Sequence, residues 1–403
     1  MKKTRLLMLC AAASCSALAL EQTSCAFEMT AWRSAMPPAT SGNAVFSPAG
    51  FAIASAILGE GLGGEARVTL METFGAMSDF SFLGTSHLLS HAAANASNRV
   101  DISVATSLWT TRRCALDKNY IHTIQQGFDA QAGYLRDIST VNLWTETKTG
   151  GRISNVLAEM PKRADTILIN AVAFEGAWDK PFDDDLTRKS TFTLANGTKT
   201  SVPLMHKESE MLLIDRPRFR LCKLNFAAPN IHFILVLPKK NVTLAQLREK
   251  DITAKTMDGL KILLKSGESS EVKAGVAEFA LPTFEAKSEW RLENALQSAK
   301  VPRKGFTRMG QGPFSIDDAR QFTYFKVTEA GYSLTPGFTP EEPQRGASGR
   351  RSELSSASDE QEKGRSKPKL GTPVICDRPF LFFVWDSKTD SFLIAGQFTG
   401  IKS

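Results

Sequence analysis

Cysteine, histidine and long apolar runs are all scarce in this chain, and each scarcity removes a class of protein. Its 403 residues include 6 cysteines and 5 histidines. Beyond an N-terminal export segment the cysteines are Cys114, Cys222, Cys376 and, depending on where cleavage falls, Cys25. Their spacing is unpaired, so no disulfide framework is expected, and a chain of this length can fold on its apolar core alone. C-x-x-C, G-x-S-x-G and P-loop patterns are absent, and no histidine stands in an obvious relation to a nucleophile. The chain is therefore not expected to be an enzyme. The net charge is +7, but acidic and basic residues are interspersed and no basic stretch is interleaved with aromatics. That speaks against a nucleic-acid partner.

Two patterns that are present lose their meaning in context. Gly59 to Gly64 satisfies G-x-G-x-x-G, but it follows an Ala-rich helical run instead of a strand, so it reads as a helix end and turn. His87 and His91 stand at i and i+4 without the glutamate of H-E-x-x-H, so they read as exposed helix residues, not metal ligands.

The N-terminus, MKKTRLLMLCAAASCSALAL, has a basic start, an apolar run from Leu6 to Ala13, and then small residues. It reads as an export signal over residues 1–26, leaving a domain over 27–403 destined for secretion. The run is too short to span a bilayer, so no membrane span is expected. Ala12-Ala13-Ser14-Cys15 also resembles a bacterial lipoprotein box, which would anchor the protein through a lipid on Cys15.

The remainder, 42% hydrophobic and 23% charged, is ordinary globular material. FSPAGFAIASAILGEG reads as a buried helix opened by Ser47-Pro48, and DKNYIHTIQQGF and RISNVLAEM also carry helical patterns. ILINAVAFEG, IHFILVLP, CDRPFLFFVWD and SFLIAGQFTG read as strands, the last two forming an antiparallel hairpin across Ser387 to Asp390. Without a long linker between these parts, one α+β domain is expected. Residues 336–373 break the pattern, because bulky apolar residues give way to Pro, Gly, Ser and charges. Strands on either side make this a long exposed loop held at both ends.

The order of motifs resembles the serpins, from about residue 43 to the C-terminus. Asn43 to Pro48 is similar to that family's first signature. Val141-Asn142-Leu143-Trp144-Thr145-Glu146, with Thr149, Gly150 and Ile153, resembles its N-x-W-x-E-x-x-T-x-G-x-I run. Ile169-Asn170-Ala171, Phe174, Gly176, Trp178, Phe182, Thr187, Phe192 and Gly197 follow in register, ending in Val202 to Met205. Leu237-Pro238, Leu281 to Phe284, Arg378 to Phe382 and Gly396 complete the match. The resemblance implies three β-sheets surrounded by helices, a monomer, and no metal or cofactor. It also implies a hinge at Glu329, Ala330, Gly331, Tyr332 and Ser333, within a hinge-and-loop segment spanning 329–373. A target protease would cleave the loop as substrate, after which the hinge side would insert into the large sheet and carry the acyl-linked protease with it.

Within the loop, Tyr332, Leu334, Pro336 and Phe338 alternate with Ser333, Thr335, Gly337 and Thr339, which is compatible with an inserted strand. The family's hinge is rich in alanine, and these inward positions are bulkier. Pro336 also lacks a ladder donor. Counting from Gly331 at the family spacing puts the scissile bond at Arg345-Gly346. Arg350, Arg351, Lys363 and Arg365 are alternatives, and counting back from Pro379 gives Lys367-Pro368. A basic residue there implies a trypsin-like serine protease, or a cysteine protease, as partner. The other expectation is a serpin-fold binding, carrier or decoy-substrate protein. Lys300 stands where the family usually has a glycine.

Overall fold

The computed structural model describes residues 25–38, 40–74, 99–161, 164–267, 269–331 and 369–400. The helices of six residues or more among the described residues are α1 (Cys25–Ala35), α2 (Pro48–Gly61), α3 (Gly64–Phe74), α4 (Lys118–Phe128), α5 (Ile138–Lys148), α6 (Ala254–Ser266) and α7 (Glu293–Ser298). The strands up to the middle of the chain are β1 (Ala44–Phe46), β2 (Val100–Thr110), β3 (Ala115–Leu116), β4 (Gln131–Tyr134), β5 (Thr166–Gly176), β6 (Arg188–Thr193), β7 (Lys199–Asp215) and β8 (Phe219–Asn225). Then come β9 (Ile231–Pro238), β10 (Val272–Pro282), β11 (Phe284–Arg291), β12 (Gly310–Gln311), β13 (Ile316–Val327), β14 (Val374–Ile375), β15 (Phe380–Asp386) and β16 (Ser391–Phe398).

Local chemistry sets the helix starts. Ser47 caps α2 by accepting from the Gly50 amide at 2.9 Å, and Pro48 fills the first helical position, where no amide donor is needed. Every residue of α2 is buried. Asp117, Asp137 and Thr253 cap α4, α5 and α6 in the same way. The glycines from Gly59 onward end α2 and make the turn into α3, as their position after a helix suggests.

RISNVLAEM is not a helix: residues 152–160 run through bends and irregular chain. Asn155 takes the left-handed conformation at φ 55, which breaks a right-handed helix. The Asn142 side chain bonds both Leu157 N and Leu157 O at 2.9 Å, while Ile153, Val156 and Leu157 are buried. The apolar spacing that mimics a helix therefore pins an irregular chain to the core.

Three sheets form. A nine-stranded sheet runs β1-β16-β15-β9-β8-β7-β10-β14, with β6 on β7; a five-stranded sheet runs β11-β13-β5-β2-β4; and β3 pairs with β12. β15 and β16 make the expected antiparallel hairpin, and both are buried throughout. Cys25, Cys114, Cys222 and Cys376 are buried free thiols. His87 and His91 lie outside the described residues.

Candidate functional site

The distinctive geometry lies in the five-stranded sheet, which is not the one with most strands. β13 and β5 are neighbours and parallel, paired from Ile316↔Thr166 to Phe325↔Phe174. The chain leaves β13 through Thr328, Glu329, Ala330 and Gly331. A segment turning back after Gly331 and entering this seam would be antiparallel to both strands. It would exchange one parallel ladder for two antiparallel ones, which are slightly more stable per residue.

Glu329, Ala330 and Gly331 are attached to the end of β5. Glu329 O accepts from Phe182 N at 3.0 Å, Ala330 O from Trp178 N at 3.2 Å, and Gly331 O from Gly176 N at 3.2 Å. The Glu329 carboxylate accepts from Thr187 Oγ1 at 2.8 Å, and Trp178 Nε1 donates to Thr328 O at 2.9 Å. Gly331 has φ +89, and a Cβ there would lie 2.2 Å from Gly176 O, so only glycine fits this approach. Trp178 stacks on Phe226 at 4.8 Å. Lys207 Nζ sits 4.1 Å from the Phe182 ring centre, and burial pushes its amine down to about 8.

Halfway along the seam, buried polar groups tie the strands together. Gln321 and Asn170 are register partners, and Gln321 Nε2 donates to Asn170 Oδ1 at 2.9 Å. Asn170 Nδ2 donates onward to Thr106 Oγ1 on β2 at 2.9 Å. Gln321 also exchanges hydrogen bonds with the Ser47 backbone at 2.8 and 2.9 Å, and Ser47 Oγ donates to Leu393 O at 2.6 Å. Parting the seam breaks the Gln321–Asn170 bond between two fully buried side chains, where each unmatched group costs ~1–3 kcal/mol.

The opposite face is covered by α5, over a cluster that includes Val141, Ile169, Ala171, Ala173 and Tyr324. After α5, Arg152 reaches Asp101 of β2 at 2.6 Å and Glu175 of β5 at 3.2 Å. Tyr324 of β13 donates its hydroxyl to Glu175 at 3.1 Å, so this group also bridges the seam. Sequence reading missed Gln321, Thr106, Glu175, Arg152 and Tyr324 as site residues. A buried glutamine, glutamate and tyrosine inside strand patterns are the signal they left.

The other end of the loop segment is also fastened. Lys369 bridges Val276 in parallel, Leu370 N donates to Val276 O at 2.9 Å, and β14 pairs in parallel with β10. Glu329, Ala330 and Gly331 are thus placed together at the top of the seam. Tyr332, Ser333, Arg345, Gly346 and Lys367-Pro368 lie outside the described residues. Among the described residues no group of His, Cys, Asp and Glu could hold a metal ion, and no helix is long and apolar enough to cross a membrane.

The family model described as "Serpin (serine protease inhibitor)" matches residues 22–401. The chain belongs to the serpin family. An uncharacterized serpin-like protein of Thermococcus kodakarensis is 23% identical over 89% of this serpin and 81% of its own length. Another, from Methanosarcina acetivorans, is 26% identical over 63% of this chain and 60% of its own length. Serpin B6 of Pongo abelii is 24% identical over 74% and 76%. Among solved structures, the thermophilic serpin tengpin in its native state matches with TM-score 0.75 at 19% identity, covering 94% of this chain and 93% of that one. Human thyroxine-binding globulin matches at 0.74 and 17%, covering 96% and 98%. At these identities the structural matches establish the serpin fold.

Proposed function

We propose that this serpin is an exported inhibitor that traps a trypsin-like serine protease as a suicide substrate. The carrying observation is the parallel β5–β13 pair with the loop leaving from its top. The protease serine attacks the Arg345 carbonyl, the Gly346 amine leaves, and an ester joins Arg345 to the enzyme. The hinge then enters the seam, gains two antiparallel ladders, and drags the ester-linked protease along. The protein supplies no catalytic group; the chemistry belongs to the protease. The N-terminal pattern supports export. Cys25 and Phe27 are buried in α1, so cleavage ahead of Cys25 leaves those two core contacts in the mature protein. Lipid attachment at Cys15 is the alternative anchor.

The second reading is a serpin-fold carrier or decoy substrate, favoured by Tyr332 and Pro336 in the hinge segment. One structural neighbour is a thyroxine-binding globulin in complex with thyroxine, so the fold can serve binding. Mixing the mature protein with trypsin at near-equal molar amounts and running a denaturing gel separates the two. A boiling-resistant band at the summed mass, lost in Arg345→Ala, supports trapping at that bond. Clean cleavage with trypsin fully active supports the second reading. If trapping is partial, Tyr332→Thr with Pro336→Ala should raise the trapped fraction per cleavage.

A further inference from the structure

A cleft of about 700 Å³ opens between the β7–β8 turn, the segment from Lys250 to Thr256, and one side of α6. Its volume lies within the ~300–1,000 Å³ typical of small-molecule sites. None of its lining residues belongs to the five-stranded sheet or the hinge, so the inhibitory reading leaves it unexplained.

The floor is apolar. Phe219 and Leu260 are buried there and Leu263 is half-buried. The walls carry four cations, Arg216, Arg218, Lys250 and Lys255, against two carboxylates, Asp251 and Glu271. Arg216 takes Glu271 at 2.6 Å and Arg218 Nε takes Asp251 at 2.9 Å. Lys250 and Lys255 are left exposed, and neither has an ion pair among the described residues. Arg218 Nη2 is buried with no hydrogen-bond partner among the described residues, a donor that a bound acceptor would satisfy. Lys255 and Thr256 also lie in the first turn of α6, where the helix dipole favours negative charge.

Gly259 lines the cleft on the α6 side. It stands inside a 13-residue helix, where glycine costs ~1 kcal/mol relative to alanine. A Cβ there would meet nothing within 4 Å, and the backbone conformation is an ordinary one. Neither crowding nor strain therefore demands glycine, and what its missing side chain provides is open space beside Leu260 and Leu263.

We propose that this cleft binds one amphipathic organic anion, a carboxylate with an apolar body. The head accepts from Lys250, Lys255 and Arg218, and the body lies over Phe219 and Leu260 past Gly259. This site is independent of the protease reaction.

Calorimetric titration of the full chain with octanoate tests it, with octan-1-ol and inorganic phosphate as controls. Octanoate should bind one to one, with both controls at least tenfold weaker. Gly259→Leu should weaken octanoate at least tenfold without lowering the unfolding midpoint. The double variant Lys250→Gln, Lys255→Gln should weaken octanoate at least tenfold and leave octan-1-ol unchanged, which decides the matter even if the leucine variant fails to fold. Three results would each overturn the proposal. These are no heat at millimolar octanoate, phosphate binding as tightly as octanoate, or octanoate binding that neither variant alters.

Discussion

Two strand pairs in this serpin are both largely buried and are differently made. The β15–β16 hairpin is antiparallel and nearly all apolar, with Phe382 in ring contact with Phe284 at 5.3 Å and Phe325 at 5.1 Å. The β5–β13 pair is parallel and carries Asn170, Gln321, Glu175 and Tyr324 along its length. Apolar contacts are undirected and rearrange only by opening cavities. Directed hydrogen bonds hold one arrangement and can be exchanged for another set. The hairpin is thus built to stay closed, whereas the seam is built to hold one register through directed bonds.

The hairpin should show the largest losses. Phe382→Ala removes a ring packed on four others, counting Phe233 at 6.0 Å and Phe380 at 6.4 Å, and should cost ~3–5 kcal/mol in urea unfolding. A loss under ~1 kcal/mol would mean that the hairpin is no tighter than the seam. The hairpin also covers a buried ion pair. Glu28 accepts from Phe392 N at 3.3 Å and faces Lys261 Nζ at 3.8 Å, with no exposure to solvent.

Burial pushes the Glu28 carboxyl from its ordinary 4.5 up to about 7, against the pull of Lys261. The folded chain therefore holds this proton more tightly than the unfolded chain does. The resulting stability is full below about pH 4.5 and fades as pH rises to about 7, by about 3 kcal/mol at ~1.4 kcal/mol per unit. His232 works in the opposite direction. Burial pushes its imidazole down to about 3 from 6.5, so its contribution is lost as pH falls through the ordinary value. The difference between wild type and Glu28→Gln cancels His232. Unfolding both proteins at several pH values from 4.5 to 7.5 should show that difference slope, and a flat difference would mean that Glu28 titrates as an exposed carboxyl.

The seam should respond less in stability and more in motion. Gln321→Leu leaves Asn170 and the Ser47 amide unmatched, at ~1–3 kcal/mol. Hydrogen exchange of β5 amides should quicken while β16 amides keep their protection. Equal quickening in both would show that they open as one unit and dissolve the distinction.

The apolar half of this contrast was legible in the sequence and the polar half was not. CDRPFLFFVWD and SFLIAGQFTG announce buried strands by composition, and Ser387 to Asp390 supply the turn. Ser47-Pro48 announces α2 by cap chemistry. By contrast, Ser47, Asn170 and Gln321 come from three distant parts of the chain, and only the pairing register brings them together. RISNVLAEM misled because apolar spacing cannot register Asn155 at positive φ. The close approach of Gly331 to Gly176 O belongs to tertiary structure and left no sign in the sequence.

Lys300 is the one departure from the family pattern whose physical consequence can now be read. α7 ends with Lys300 N donating to Gln297 O at 3.0 Å and Val301 N to Leu296 O at 2.8 Å. That is the Schellman arrangement, which sets the residue at Lys300 in the left-handed region; here φ is 54. A side chain at this angle costs ~1 kcal/mol that glycine would not. The side chain is exposed and makes no ion pair among the described residues, so Lys300→Gly gives up little. The variant should gain up to ~1 kcal/mol and raise the unfolding midpoint slightly. α7 is joined to β13 through Leu292 N and Ala319 O at 2.8 Å, so the gain should appear as slower exchange along β13, on the seam side, with β16 unchanged. A gain confined to the hairpin would contradict the separation of the two regions, and no gain would mean that Lys300 makes a compensating contact in solution.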